Sequence, residues 1–410
     1  MTLAAGLVAC ALAAGAPALA GDPTHPASGR PRTPDGPRVL HPEVSSGGWH
    51  GRIAAPRTTA LPRTTTDDLV SWEVAPGVTF SRWTLTDSRG PVVAHLMTVD
   101  PSTPGLRIDY ASRGAVRQVA TVREILAADG AVAGVNGDFY DIGRTGAPLG
   151  VGRDRQRGLL HARQDGWNSA FFIGPHGRPG IGTLPMTARV VGHPRLEVTN
   201  LNSPVVTPGG IGVYTPRWGR TAGYAVTHGH RHLVREVTVE HGRVVRNRGT
   251  LSNDRPIAGY LLVGRGDSAE MLRKQLPRGS RVRTTWSLAG HPQVAISGSG
   301  FLVHDGIIRA VDDRILAPRT AIGIDADTGE VLLLVVDGRS EECRGYTLVE
   351  LADLMVDLGA DDALNLDGGG SSTMVGSNRR GTTAVLNTPS DGFQRRVANA
   401  VAVSYRPPRG

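Results

Sequence analysis

Cysteine is scarce in this 410-residue chain: there are two, Cys10 and Cys343. Cys10 lies in an apolar N-terminal stretch that reads as a removable leader. Cys343 then remains alone, which excludes an internal disulfide and leaves the core to stand on apolar burial. Long apolar runs are also missing. Beyond residues 1–20, nothing reaches the ~18 consecutive apolar residues that a membrane helix needs, so no transmembrane segment is expected. Lysine is almost absent: of 45 basic residues only Lys274 is a lysine. The net charge of +8 and the pI near 10.1 therefore come from arginine. A basic excess raises the question of nucleic acid, but there is no zinc-finger spacing, RRM signature or basic helix to support it. No nucleic-acid partner is expected, and anionic glycopolymers or phosphorylated sugars suit the charge equally well. Glycine (54) and proline (28), by contrast, are plentiful, which favours strands, turns and loops over a helical bundle.

Residues 1–20 carry no charge, and Ala18-Leu19-Ala20 precedes Gly21-Asp22 in a small-x-small cleavage pattern. This reads as a secretory signal peptide and a secreted protein. Leu7-Val8-Ala9-Cys10 leaves lipid anchoring through Cys10 as the alternative, although the ten residues after Cys10 stay apolar. Residues 21–67 are rich in proline, arginine and threonine and read as a disordered linker. Order is expected from about Leu69, with residues 68–406 forming a single large catalytic domain. Strands are predicted over 70–74, 78–85, 92–100, 106–111, 132–135, 212–215, 233–240, 243–245, 260–263, 320–324, 331–336 and 363–366. Helical spacing covers 119–128, 268–275 and 347–358. The strand–helix–strand order of the last third predicts part of a parallel pair with a crossover. The fold class that follows is α+β, with mixed sheets flanked by helices.

Four polar loops interrupt these apolar elements. In the first, Asn365 and Asp367 leave a strand end on one face. Gly368, Gly369 and Gly370 follow without Cβ atoms, and Ser371, Ser372 and Thr373 then offer hydroxyls and amides. Such a loop suits a sugar, a phosphate or both; read locally, it is a tight turn with a serine cap. The second, Asn136-Gly137-Asp138-Phe139-Tyr140, repeats the Asn-x-Asp spacing, and its aromatics suit the apolar face of a sugar ring. Its plainer reading is an Asx-turn with core aromatics. In the third, Arg319 and Thr320 open a strand, and an arginine forks onto phosphate or carboxylate. A structural arginine paired with an internal aspartate fits the same residues. In the fourth, Asp337-Gly338-Arg339-Ser340 ends an apolar strand, at a site-like sheet edge or as a polar turn.

Other signals fail on inspection. Gly264 and Gly266 imitate a dinucleotide fingerprint, but the acid expected ~20 residues later is missing. No lysine follows the glycines at 368–370, so the loop is not a P-loop, and no Gly-x-Ser-x-Gly spacing makes it a nucleophile elbow. His228, His230 and His232 have the period-2 spacing that puts three imidazoles on one strand face, although exposed loop histidines are the usual case.

In order along the chain, these loops resemble the phosphodiester glycosidase domain family. The resemblance runs over residues 70–405. Beside the four loops it takes in Pro76-Gly77-Val78-Thr79, Gly146 to Gly150, Ser297 to Gly300 with His304-Asp305-Gly306, and Asn387-Thr388-Pro389-Ser390-Asp391-Gly392 with Arg395-Arg396. It implies a hydrolase that cleaves the glycosidic bond of a sugar-1-phosphodiester, of the N-acetylglucosamine-1-phosphodiester kind, in an extracellular or cell-wall glycopolymer. The leaving group is a phosphate ester, so what remains is to stabilise an oxocarbenium-like transition state and to deliver water or a carboxylate nucleophile. On that reading Asp367, Asp337 and Asp138 are the candidate catalytic carboxylates. Arg319 and Arg339 hold the phosphodiester, and Asn136, Thr320, Asn365, Gly368, Gly369, Ser371 and Ser372 contact the substrate. The sequence requires no cofactor and leaves room for a divalent cation at the aspartates. A non-catalytic wall-glycan-binding module and a phosphodiesterase cutting the P–O bond are the alternative functions.

Overall fold

The computed structural model describes residues 52–53 and 67–408. The predicted signal peptide, Cys10 and most of the predicted linker lie outside the described residues. Inside the linker's span, Arg52–Ile53 forms a short strand antiparallel to Ile315–Leu316.

Strand Val331–Val336 shows how the core is built. All six residues are apolar and buried. Successive side chains leave opposite faces, so Leu333 and Val335 enter one core while Leu332, Leu334 and Val336 enter another. A strand covered on both faces needs no polar alternation. It lies inside an eight-stranded sheet whose order is Asp67–Ala75, Val78–Asp87, Gly90–Val99, Val331–Val336, Arg319–Ile324, Asp362–Asn365, Gly300–His304 and Ile307–Ile308. The first three strands are a meander. Its first turn uses Gly77 at φ +74°, where a Cβ would stand 2.2 Å from Thr103 Oγ1.

One face of this sheet packs on a five-stranded sheet ordered Thr383–Val385, Met374–Ser377, Ala133–Asn136, Ala400–Tyr405 and Leu106–Ala111. Phe80, Met97, Ile322 and Leu364 from the first meet Ile108, Val135, Met374 and Val401 from the second in one buried cluster. A ten-stranded sheet built from residues 152–297 carries a separate core around Val198, Val213, Val237 and Leu262.

Three α-helices occur among the described residues. Helix α1 (Val122–Asp129) starts in a capping box of Thr121 and Glu124 and ends at Gly130 in the left-handed region. Helix α2 (Asp267–Gln275) buries Leu272 against the ten-stranded sheet. Helix α3 (Leu348–Asp357) has a second capping box, Thr347 with Glu350, and buries Leu351 and Met355 beside Leu332 and Leu334.

The expected α+β arrangement, with sheets flanked by helices, is not what forms. The structure is mostly β, 45 % strand and 11 % helix. The reason is dimensional. Helices of 8 to 10 residues are ~12–15 Å long, whereas five to eight strands ~4.8 Å apart span ~20–35 Å. Sheet must cover sheet. The predicted parallel pair also changes. Val331–Val336 and Asp362–Asn365 do run parallel, but Arg319–Ile324 lies between them, antiparallel to both. No helix among the described residues is long and apolar enough to cross a membrane.

Candidate active site

Sheet register brings the polar loops to one end of the sandwich. Arg319 pairs with Val336, so the strand opening at Arg319 and the strand ending before Asp337 share an edge. Asn365 pairs with Ala321 at that same end. In the five-stranded sheet, Asn136 pairs with Ala400 and Val135 with Met374. Residues 366–373 are the crossing from one sheet to the other, and every residue of that crossing is buried.

Asn136 ties the crossing down. Its Nδ2 donates to the Asp367 carbonyl at 2.6 Å. Its Oδ1 accepts from Thr320 Oγ1 at 2.9 Å and from the Thr373 amide at 3.0 Å. Thr320 Oγ1 also lies 3.2 Å from Ser372 Oγ. Asn136 and Thr320, both expected to touch substrate, are thus fully buried joints between the two sheets. The amides of Gly369, Ser371 and Ser372 are taken up by the carbonyls of Pro318, Gly368 and Gly369. Asn365 Nδ2 donates to Ser299 Oγ at 2.7 Å, while Asn365 Oδ1 and Ser371 Oγ are buried without a hydrogen bond.

The glycines are walled by cations. A Cβ at Gly368 would stand 3.9 Å from Arg319 Cδ. Arg319 is buried and donates to the carbonyls of Tyr346 (2.8 Å) and Ile315 (2.7 Å). It makes no ion pair among the described residues, so the aspartate-paired reading does not hold. Burial lowers its guanidinium to about 10, with Asp312 opposing this and Arg339 adding to it. Arg339 sits at φ +66°, a conformation non-glycine residues seldom adopt. Burial and the charge of Arg395 lower its guanidinium too. On the other wall, a Cβ at Gly370 would stand 2.2 Å from both Arg395 Nη2 and Asp391 Oδ2. Those two residues form an ion pair at 2.7 Å with side chains about one-fifth exposed (22 % and 20 %).

The three candidate carboxylates differ. Asp337 Oδ1 accepts from Asn387 Nδ2 and the Thr388 amide, each at 3.0 Å, and Asp337 Oδ2 lies 2.8 Å from His95 Nε2. Asn387 Nδ2 reaches on to the Ser372 carbonyl at 3.2 Å, which links Asp337 to the glycine crossing. Asp138 Oδ2 accepts from the Gly150 amide at 3.0 Å, and Asp138 Oδ1 is buried with no hydrogen bond. Burial pushes the Asp138 carboxyl well above the usual carboxylate range. The Gly150 amide and the nearby Ser297 oppose the shift, and the charge of Asp367 adds to it. Asp367 is completely buried, and its amide donates to the Gly137 carbonyl at 2.9 Å. Asn399 braces the Asp138 loop, its Oδ1 accepting from the Asp138 amide at 2.8 Å.

Phe139 packs on Trp167 at 5.3 Å between ring centroids, and Tyr140 donates to the Arg396 carbonyl at 2.7 Å. Both are core residues, as the plainer reading had it. Phe393, two residues after Asp391 in the chain, is exposed, at 66 %. Sequence reasoning passed over Phe393, Asp391, Arg395, Asn387, Asn399 and His95 as site residues. The run 387–396 was in view as a motif, but nothing local tied its charges to the glycine loop. Among the described residues the one group of three metal-type ligands is His304, Asp305 and Asp362, at the far end of strand Asp362–Asn365 from Asn365. The Asp138, Asp337 and Asp367 carboxylates do not form one. Neither do His228, His230 and His232, because His228 caps a 3-10 turn at φ +55° instead of entering a strand.

Residues 202–404 match the family model for phosphodiester glycosidase. Over 97 residues the chain is 41 % identical to N-acetylglucosamine-1-phosphodiester alpha-N-acetylglucosaminidase of Bos taurus, covering 22 % of this chain and 17 % of that protein. Over 94 residues it is 35 % identical to the SPbeta prophage-derived uncharacterized protein YomE of Bacillus subtilis (strain 168), covering 23 % and 14 %. The chain thus spans less than a fifth of these curated relatives. Its fold is similar to the crystal structure of a hypothetical protein from Synechocystis, with a TM-score of 0.68 at 22 % identity over 85 % of this chain and 65 % of that one. With the matched segment carrying the Arg319, Asp337 and Asp367 loops, and the Asn136 loop bonded into them, the chain belongs to the phosphodiester glycosidase family.

Proposed function

We propose that this protein is a secreted hydrolase that cleaves the glycosidic bond of a sugar-1-phosphodiester of the N-acetylglucosamine-1-phosphodiester type. Residues 68–406 are its catalytic unit, and an extracellular or cell-wall glycopolymer is its natural substrate. The observation that carries this reading is the buried glycine crossing, with Arg319 against Gly368, the Arg395–Asp391 pair against Gly370, and two mutually coupled acids, Asp138 and Asp367, beside it. Secretion rests on the Ala18-Leu19-Ala20 pattern.

In this mechanism Arg319, Arg339 and Arg395 draw the phosphodiester in and stabilise it as it departs. Charge-assisted hydrogen bonds are strong where water is excluded. The departing phosphate ester needs little protonation, so the demand falls on the sugar carbon. Asp367, as carboxylate, meets the positive charge that develops there. Two buried acids this close do not both ionise readily. Asp138, with its carboxyl raised, gives its proton to the departing phosphate oxygen and takes one back from the water that attacks the sugar carbon. Asp337 keeps loop 387–391, and hence Asp391 and Arg395, in position through its bonds to Asn387 and Thr388.

The test is product identity from purified protein and a synthetic N-acetylglucosamine-1-phosphodiester. Free N-acetylglucosamine plus an intact phosphate monoester is expected. An N-acetylglucosamine phosphate would mean P–O cleavage, and no product from a panel of sugar-1-phosphodiesters would mean a binding module; either result overturns the proposal.

A further inference from the structure

The three loops of arginine chemistry do not exhaust the cationic surface. A cleft of about 650 Å³ opens on the ten-stranded sheet, lined by none of the candidate-site residues. Strands Gly152–Asp154, Gly158–Arg163 and Tyr260–Arg265 supply part of its lining, and strand Thr284–Leu288 supplies Trp286, Ser287 and Leu288. Its volume falls within the range of small-ligand sites, ~300–1,000 Å³.

The lining is one-sided in charge. Arg153, Arg157 and Arg217 face it with His291, and no carboxylate lines it. Arg157 is held in place, its Nη1 donating to the Gly114 carbonyl at 3.0 Å and its Nη2 to Ser112 Oγ at 3.1 Å. Arg153 Nε is buried without a hydrogen bond, and Arg217 is exposed. Beside these cations Tyr260 and Trp286 meet edge to face, with ring centroids 6.4 Å apart and planes at 75°. Arg157 is paired with Asp154, whereas Arg153 and Arg217 form no ion pair among the described residues, and the positive potential they leave suits an anionic ligand. Partly exposed aromatic edges and faces add apolar surface of the kind a sugar ring covers.

We propose that this cleft is a second, non-catalytic binding site for a strand of anionic glycan, with its phosphate groups on Arg153 and Arg217 and a sugar ring against Trp286. The choice of a glycan over another polyanion rests on the proposed substrate class. A chain-gripping site away from the reacting bond keeps a polymeric substrate on the protein between cleavages. It adds to apparent affinity by raising the local concentration of cleavable units.

The experiment measures binding of the full chain to an immobilised polymer whose N-acetylglucosamine units are joined through 1-phosphodiesters, using Asp367→Asn protein so that turnover does not interfere. Arg217→Ala and Trp286→Ala are added singly, and Arg153→Gln with Arg217→Ala as a pair. Thermal melting of each variant reports folding independently of activity. Each lost arginine contact is expected to weaken binding about tenfold, the loss shrinking at high salt as screening rises. Hydrolysis of a small sugar-1-phosphodiester by Arg217→Ala protein that keeps Asp367 is expected to match the unsubstituted protein. Folded variants that bind the polymer as tightly as the parent overturn the proposal. So does single-stranded DNA of equal length binding more tightly than the glycan. Failure of the small-substrate assay with polymer binding intact counts against the proposed catalysis and leaves the cleft standing.

Discussion

Asp337 and Asp138 are both buried acids on loops at the same end of the sandwich, but their surroundings are opposite. Asp337 is surrounded by donors: Asn387, Thr388 and His95 take up its oxygens. Asp138 has one amide on Oδ2, nothing on Oδ1, and a second carboxylate, Asp367, close enough to raise it. A buried carboxylate whose oxygens are taken up by donors fixes the loop that supplies them. An under-satisfied one beside a like charge keeps a proton and stores the means for acid–base chemistry. The comparison separates an acid whose oxygens are taken up by donors from one left under-satisfied, where the sequence offers only Asp in both places.

The largest expected effect tests the structural side. Asp337→Ala leaves the Asn387, Thr388 and His95 groups without their acceptor, and is expected to cost about 3–5 kcal/mol of stability. The folded fraction is expected to keep a turnover number within about tenfold of the parent. Denaturant unfolding paired with steady-state kinetics checks it. A catalytically dead variant of unchanged stability would reverse the assignment of the two aspartates.

On the reactive side, Asp367→Asn is nearly isosteric and neutral. It is expected to lower kcat by about 10²–10³, or ~2.7–4 kcal/mol of barrier, with little loss of stability. Parental rates on N-acetylglucosamine-1-phosphodiester would move the reacting carboxylate elsewhere.

The Asp138 prediction concerns pH. Its carboxyl is raised in the folded state by burial and by Asp367. Between the ordinary carboxylate range and that raised value the folded protein therefore binds more protons than the unfolded chain. Its contribution is fully present at acid pH, below the unfolded pKa, and is lost as pH rises toward the folded one. Asp138→Asn removes that loss, so the variant should gain on the parent in melting temperature as pH rises from 4 to 8 while losing activity. A difference in melting temperature that stays flat over this range would contradict the shift.

The smallest effect probes the rim. Gly370→Ala puts a Cβ into the Arg395–Asp391 pair, whose partly exposed side chains can move aside. KM is expected to rise about tenfold with kcat less affected, because a cation that positions the phosphate is displaced. An unchanged KM would remove Arg395 from substrate binding.

The sequence by itself determined the local elements. Helical spacing with Thr121/Glu124 and Thr347/Glu350 capping boxes sets α1 and α3, and the apolar run at 331–336 sets a strand covered on both faces. It also marked the four loops, since glycine and Asn-x-Asp spacing are local properties of a backbone turn. Tertiary structure decided the rest. The fold class was misread because helix existence is local, whereas which layer covers a sheet depends on areas summed over distant strands. Asn136 and Thr320 became joints because they bond each other from opposite sheets and bond the 366–373 crossing between them. Arg395 and Asp391 meet as an ion pair against Gly370, a contact made across some twenty residues of chain. A side chain's chemistry is set by which hydrogen-bond partners burial leaves to it, and those partners are chosen by the packing of strands far apart in the chain.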